Sequence, residues 1–216
     1  MHLSDVVAFT PILLTGAYQT ILIALCSLLI SVPLGMVWAL GRLSSFSVLS
    51  TAVEWLVNVV RAIPIIVWLF YIYFVVPDMG ITLTSFQASI IGLGFAHSAY
   101  MSEIFRGGIQ AVDVGQMEAA RSIGMSKLKA MWRVVLPQAF QVALPPFSSG
   151  VVTLVKDSAL SSTIAVTEMT RQGQLLASST FQNTTIYTMV AVGYLIINLP
   201  LIRATKFLER RIGKSY

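Results

Sequence analysis

Charged side chains cut this chain into long apolar runs. Uncharged stretches extend from Val6 to Gly41, Ala62 to Pro77, Met79 to Ser102, Val134 to Val155 and Gln172 to Ile202. A bilayer crossing needs about 20 mostly apolar residues. Four of the stretches reach that length, and the Ala62–Pro77 stretch reaches it when carried back past Arg61 to Trp55. The pattern predicts an all-α membrane protein with five transmembrane helices, near 15–41, 55–76, 86–110, 140–165 and 184–205. The loops between them are short, and no linker or internal repeat divides 1–216 into more than one domain. Five crossings do not split into two equal inverted halves, which argues against a stand-alone secondary transporter of that design.

Composition supports the same solvent. Hydrophobic residues make up 56% of the chain and charged residues 11%, against roughly a quarter charged in soluble domains. The N-terminus lacks a Lys or Arg before its apolar run, and that run is too long for a cleavable signal peptide. Cys26 is the only cysteine and reads as a packing residue.

Charge placement sets an orientation. Arg42, Arg121, Lys127, Lys129, Arg133, Lys206, Arg210, Arg211 and Lys214 fall in one set of loops and tails. Arg61, Arg106 and Arg203 lie close to the same side, and only Arg171 falls in a loop on the other. Lys and Arg accumulate in cytoplasmic loops, so the N-terminus is expected outside, with the 111–137 loop and the C-terminus inside. The net charge of +5 then reflects apposition to anionic lipid; no aromatic-interleaved basic stripe suggests nucleic acid. The tail from Lys206 to Lys214 is expected to lie along the headgroups.

The 111–137 loop is the one extended polar segment. Gly115 can open a helix, and Gln116–Ser122 favours one. Gly124 is placed to end it in the left-handed conformation. Ser126 can cap a second helix from Lys127 to Val134. Two short helices joined at a glycine form a compact knob, with Glu118 and Arg121 supplying charge and Ala119 and Ala120 allowing close approach.

The spacing Glu118-Ala119-Ala120, then Gly124, then Leu136-Pro137 resembles the EAA loop of permease subunits in ATP-binding-cassette (ABC) importers; Val134 stands where that loop usually carries isoleucine. Arg61-Ala62-Ile63-Pro64, Tyr100 with Glu103, Lys156-Asp157-Ser158 and Glu168-x-Thr170-Arg171-Gln172-Gly173 are similar to elements of the polar-amino-acid subfamily. The resemblance runs from about Leu14 to Arg211. It implies the type I importer fold in a bacterial inner membrane and a coupling surface at Glu118, Ala119, Ala120, Arg121, Gly124, Leu136 and Pro137. It also implies a second permease subunit, identical or paralogous, two ATPase subunits that bind the ATP, and a periplasmic or lipid-anchored solute-binding protein that delivers a polar amino acid.

Ionisable groups inside a span usually face a cavity or a partner. Glu103, Lys156 and Asp157 fall within predicted spans. Glu103 and Arg106 are three apart and can pair on one helical face. Lys156 and Asp157 are adjacent and cannot. Ser158 and the run Ser161-Ser162-Thr163 suggest an interrupted helix there, and broken helices expose backbone groups that hold charged ligands. Asp157, Ser158, Lys156, Glu103, Tyr100, Arg61 and His97 are therefore the candidate pathway residues, the alternative for the charged ones being an internal ion network. A cationic answer to Asp157 is expected from substrate ammonium, Lys156, Arg61 or Arg106. His97 stands without companion ligands, so no metal site is expected. Gly92, Gly94, Gly107 and Gly108 suit close helix packing.

The chain is not expected to be an enzyme. It has two histidines, one cysteine and no His-Glu-x-x-His. Gly213-Lys214-Ser215 cannot complete a phosphate loop, because Leu208 occupies the position of its first glycine. An ATP-independent transporter or channel, or a membrane scaffold, are the other classes compatible with the pattern.

Overall fold

The computed structural model describes residues 3–212, so Gly213 and Lys214 of the basic tail lie outside the described residues. Among these the protein is helical, without strands. Helix α1 spans Leu3–Arg42, α2 Ser47–Ala62, α3 Ile65–Phe70, α4 Ser85–Gln110, α5 Val114–Ser122, α6 Lys127–Ala130, α7 Leu136–Asp157, α8 Met169–Thr180 and α9 Asn183–Ile212.

Helix α4 sits at the centre, packed along α1 on one side and against α7 on the other. Small residues set the closeness of the first seam. A Cβ on Gly35 of α1 would lie 2.6 Å from Met101 Cβ, and one on Gly94 of α4 would lie 2.8 Å from Ile30 Cβ. Without side chains at these positions the two backbones approach closely, the usual device where lipid supplies no driving force between helices. Gly108 does the same between α4 and α7, 2.7 Å from the Ala139 carbonyl, whereas Gly107 faces open space and packs nothing. Ile23, Leu69, Leu93, Leu154 and Ile164 form the main core, drawn from α1, α3, α4, α7 and the segment after α7. Helix α4 opens with a reciprocal capping box: Thr84 Oγ1 accepts from Gln87 N–H at 3.2 Å, and Thr84 N–H donates to Gln87 Oε1 at 3.0 Å.

Helices α1 (Asp5–Arg42, mean hydropathy 2.4) and α9 (Asn183–Arg211, mean hydropathy 1.8) are each long and apolar enough to cross a membrane. The stretch read as one helix near 55–76 is two helices, bent by 97° between Ala62 and Ile65. Pro64 is the cause. It disfavours α geometry at Ile63, which is extended (φ −91°, ψ 130°). Helices α4 and α7, which carry the spans expected near 86–110 and 140–165, are long enough but too polar to meet the same apolar standard. As the central element α4 meets other helices more than lipid.

Prolines shape two further departures from regular helix. Tyr71–Val75 and Met131–Val135 are wide π turns, and each ends two residues before a proline, Pro77 and Pro137. Proline lacks an N–H, and its ring clashes with the carbonyl four residues back; widening the preceding turn relieves this. The second predicted loop helix therefore does not stop at Val134. It runs from Lys127 through the π turn directly into α7.

Helix α8 is anchored by Glu168, which is fully buried. Its carboxylate caps the helix, accepting from Thr170 N–H at 2.8 Å and Arg171 N–H at 2.7 Å. It also accepts from Tyr194 Oη at 2.9 Å and Thr20 Oγ1 at 3.4 Å, joining α8 to α9 and α1.

Candidate functional site

The loop between α4 and α7 folds into the expected knob. Asp113 caps α5, its Oδ1 accepting from Gly115 N–H at 2.7 Å. The C-terminal end is a Schellman turn: Met125 N–H donates to the Ala120 carbonyl (3.2 Å) and Gly124 N–H to that of Arg121 (3.0 Å). Gly124 adopts φ +85°, the left-handed conformation that glycine enters without steric cost. Ser126 caps α6 through Lys129 N–H at 3.3 Å. Gln138 of α7 donates to Gln116 of α5 at 3.4 Å, tying the knob to the bundle.

Glu118, Ala119, Arg121 and Gly124 are exposed on this knob, but Ala120 is buried within it. Ala120 thus lets the knob's own helices approach, and only Ala119 is available outside. Leu136 and Pro137 stand in the first turn of α7, off the knob. Sequence reasoning missed its most conspicuous feature: Val114, Ile123 and Leu128 are 71%, 75% and 69% exposed. Apolar side chains at helix ends in a polar loop were the available signal. Three of them stand exposed on one small projection.

The second group of residues lies along one flank of α4: His97 is buried, Glu103 and Asp157 are half-buried, and Tyr100 and Arg61 are exposed. His97, Tyr100 and Glu103 succeed one another at three-residue intervals on α4, so they descend one flank of it over roughly 9 Å. At the upper end His97 Nε2 lies 3.0 Å from Asp157 Oδ2. The cationic or hydrogen-bonding answer to Asp157 is therefore His97, which the expectation had not included; neither Lys156, Arg61 nor Arg106 reaches it. The imidazole is 4% exposed and the carboxylate 26%. Asp157 ends α7. The chain continues from Ser158 to Ile164 as a tight 3₁₀ segment closed by Ala165 at φ +64°, so the helix is interrupted where the small polar run predicts. Ser158 is buried and donates to the Val155 carbonyl at 2.7 Å, which satisfies it locally, while Lys156 is exposed.

At the lower end Glu103 gathers three guanidinium groups. Its Oε1 meets Arg42 Nη1 at 2.8 Å and Arg61 Nη1 at 2.7 Å, and its Oε2 accepts from Arg106 Nη2 at 2.7 Å and Nε at 3.0 Å. Arg42 also lies 3.5 Å from Glu54, Arg106 donates to Gln110, and Arg61 stacks over the Tyr100 ring at 5.6 Å. The predicted Glu103–Arg106 pair exists, but as one arm of a node that joins the ends of α1 and α2 to α4. Arg42 was missing from the predicted site; its position at the end of the first apolar run was the signal.

The chain is thus an apolar helical bundle with polar and charged side chains along one flank of its central helix and an exposed helical knob between α4 and α7. Residues 31–214 match the family of binding-protein-dependent transport system inner membrane components, and the chain belongs to that family. It is 37% identical over 201 residues to the probable glutamine ABC transporter permease protein GlnM of Bacillus subtilis (strain 168), covering 93% of each chain. It is 36% identical over 208 residues to the L-cystine transport system permease protein TcyB of the same organism, covering 96% of this chain and 89% of the relative. A crystal structure of an amino acid ABC transporter with histidines superposes with a TM-score of 0.91 at 33% identity, covering 98% of this chain and 99% of that one. The MetNI methionine ABC transporter in an inward-facing conformation shares the fold, with a TM-score of 0.74 at 20% identity. The fold is that of type I ABC importer permeases.

Proposed function

We propose that this chain is one of two permease subunits of an importer that moves a polar amino acid into the cell on ATP hydrolysed by a separate pair of ATPase subunits. The observation that carries this reading is the knob: a glycine-closed helical projection whose exposed Val114, Ile123 and Leu128 need a soluble partner. The relatives' names, for glutamine and L-cystine permeases, support a polar amino acid as substrate. In this reading five segments cross the membrane, with the N-terminus outside and the C-terminus inside. A solute-binding protein delivers the substrate from the outer side. Closure of the ATPases on ATP moves the two knobs, and the rigid continuation of each knob through α6 into α7 carries that motion to Asp157. The substrate's ammonium meets the Asp157 carboxylate, and the substrate then passes along Tyr100 towards the Glu103 node.

The test is co-purification with the ATPase followed by reconstitution. Uptake by the complex should require ATP, the ATPase and the binding protein. In Gly124→Val the left-handed turn carries about 1–3 kcal/mol of strain, so the ATPase should be lost while the bundle stays inserted. Uptake that proceeds without ATP or ATPase would instead establish an ATP-independent transporter.

A further inference from the structure

A cleft of about 450 Å³ opens between α1, α4 and the start of α7, and its walls are almost wholly apolar. Val32, Phe105, Trp132, Phe140, Ala143 and Phe147 shape it. It belongs neither to the polar flank of α4 nor to the knob's exposed surface. From the first turn of α7 at Leu136 to Phe147 is 11 residues, about 16 Å of helix. Half of a bilayer's hydrocarbon core is roughly 15 Å. The cleft therefore has the length of one leaflet and the volume of one fatty-acyl chain. At its knob end stands Trp132, 67% exposed, a side chain suited to headgroup level. Beside Trp132 is Arg133, and one turn back is Lys129. Both are exposed, and neither joins an ion pair among the described residues.

We infer that this cleft is a binding site for one acyl chain of an anionic glycerophospholipid from the leaflet on the knob side, with Arg133 and Lys129 holding the headgroup phosphate. An apolar slot alone accepts any lipid; the exposed cations three residues before and one residue after the lining Trp132 would select a negative headgroup. Because Leu136 and Pro137 also line the slot, the bound lipid braces the junction through which the knob moves α7. The choice of leaflet rests on the orientation proposed above.

The experiment is native mass spectrometry on the purified complex in mild detergent, challenged with palmitoyl-oleoyl phosphatidylglycerol or the matching phosphatidylcholine. The wild-type protein should retain one phosphatidylglycerol per chain in preference to phosphatidylcholine. Arg133→Gln, which alters an exposed side chain, should lower that preference about fivefold. Val32→Phe should fill the slot and remove the retained lipid of either kind, with thermal unfolding measured in parallel to establish that the variant is folded. A folded Val32→Phe protein that retains lipid as the wild type does, or an Arg133→Gln protein with unchanged preference, overturns the proposal. So does efficient disulfide crosslinking of two copies through Phe140→Cys in a Cys26→Ser background, since the slot would then be covered by a second chain. ATPase co-purification, read in the same preparation, reports independently on the importer reading: lipid retention without ATPase sinks that reading and leaves the slot standing.

Discussion

Two carboxylates inside the bundle, Glu103 and Asp157, are treated in opposite ways. Glu103 is met by three guanidinium groups from three helix ends, with both oxygens engaged. Asp157 is met by one imidazole on one oxygen and remains a quarter exposed. Removing a charge from water is costly unless it is paired and fully hydrogen-bonded. The first site is answered by three cations from within the chain, with Arg42 Nη1 in ion-pair contact without a hydrogen bond; Glu103 at 22% and Asp157 at 26% are about equally exposed, so the number of partners and not burial separates them. The second leaves acceptor capacity open beside an interrupted helix, and open capacity is what a ligand can use. On the proposed reading Glu103 fastens the bundle and Asp157 is the contact point; in the sequence, Arg106 three residues on already favours a paired role for Glu103, while Asp157 has no such neighbour.

The strongest way to break this comparison is Glu103→Gln. The amide leaves three arginines gathered without their shared anion, and losing charge-assisted hydrogen bonds in a half-buried network costs about 2 kcal/mol. The detergent-solubilised complex should lose most of its assembled fraction in a size-exclusion assay after mild heating. A fully assembled, heat-resistant Glu103→Gln complex would show that the node fastens nothing. Next in size is Asp157→Asn. The side chain keeps its shape and can still meet His97, so assembly should survive, while ATP-driven uptake in proteoliposomes should fall at least about tenfold for loss of a charged contact of about 1.4 kcal/mol or more. Failure to assemble would place Asp157 in the same class as Glu103.

Much of this was legible from residue spacing. The turn at Gly124, the cap at Ser126, the Glu103–Arg106 pair and the helix break after Asp157 each depend on residues close in sequence, where local stereochemistry decides. What escaped depends on residues far apart. His97 and Asp157 are 60 positions apart, and Arg42 and Glu103 are 61, so only packing brings them together. A kink at Pro64 is legible from the proline itself, but its 97° size and the division into two helices are not, because hydropathy sums composition along a stretch and is blind to direction. The burial of Ala120 follows from how α5 folds against α6, which the local spacing does not encode. Glu168 was noticed as part of a motif, but its role as a buried cap shared by three helices appears only when Thr20 and Tyr194 are placed beside it.

A finer cut at the same comparison is His97→Gln. The Gln side chain can keep a neutral donor towards Asp157 but cannot carry charge. If the imidazole chiefly positions the carboxylate, assembly should be normal and the concentration of substrate giving half-maximal uptake should rise about three- to tenfold, for a weakened hydrogen bond of about 1 kcal/mol. Replacement by Leu should cost more, because it leaves Asp157 with no partner among the described residues when substrate is absent. Equal effects of Gln and Leu would show that hydrogen bonding to Asp157 is not what His97 contributes.

The smallest expected effect comes from Arg61→Gln, and its size is what sharpens the comparison. Arg61 shares Glu103 Oε1 with Arg42, and its side chain is 38% exposed against 7% for Arg42. Removing it leaves Glu103 bound by Arg42 and Arg106, so no desolvated carboxylate is orphaned. A partly exposed ion pair contributes at most about 1 kcal/mol, and the stacking over Tyr100 adds roughly 0.5–1 kcal/mol at such a site. Arg61→Gln should therefore lower the thermal stability of the complex far less than Glu103→Gln. Arg42→Gln, from the buried position, should fall between the two. The measurement is one unfolding series on all three variants. If Arg61→Gln destabilises as much as Glu103→Gln, the node is not a redundantly held anion, and Arg61 itself must fix the bend between α2 and α3 by stacking on Tyr100. The double variant Arg61→Gln with Tyr100→Leu then separates the two contributions: additivity assigns the effect to the ion pair, and non-additivity assigns it to the stack.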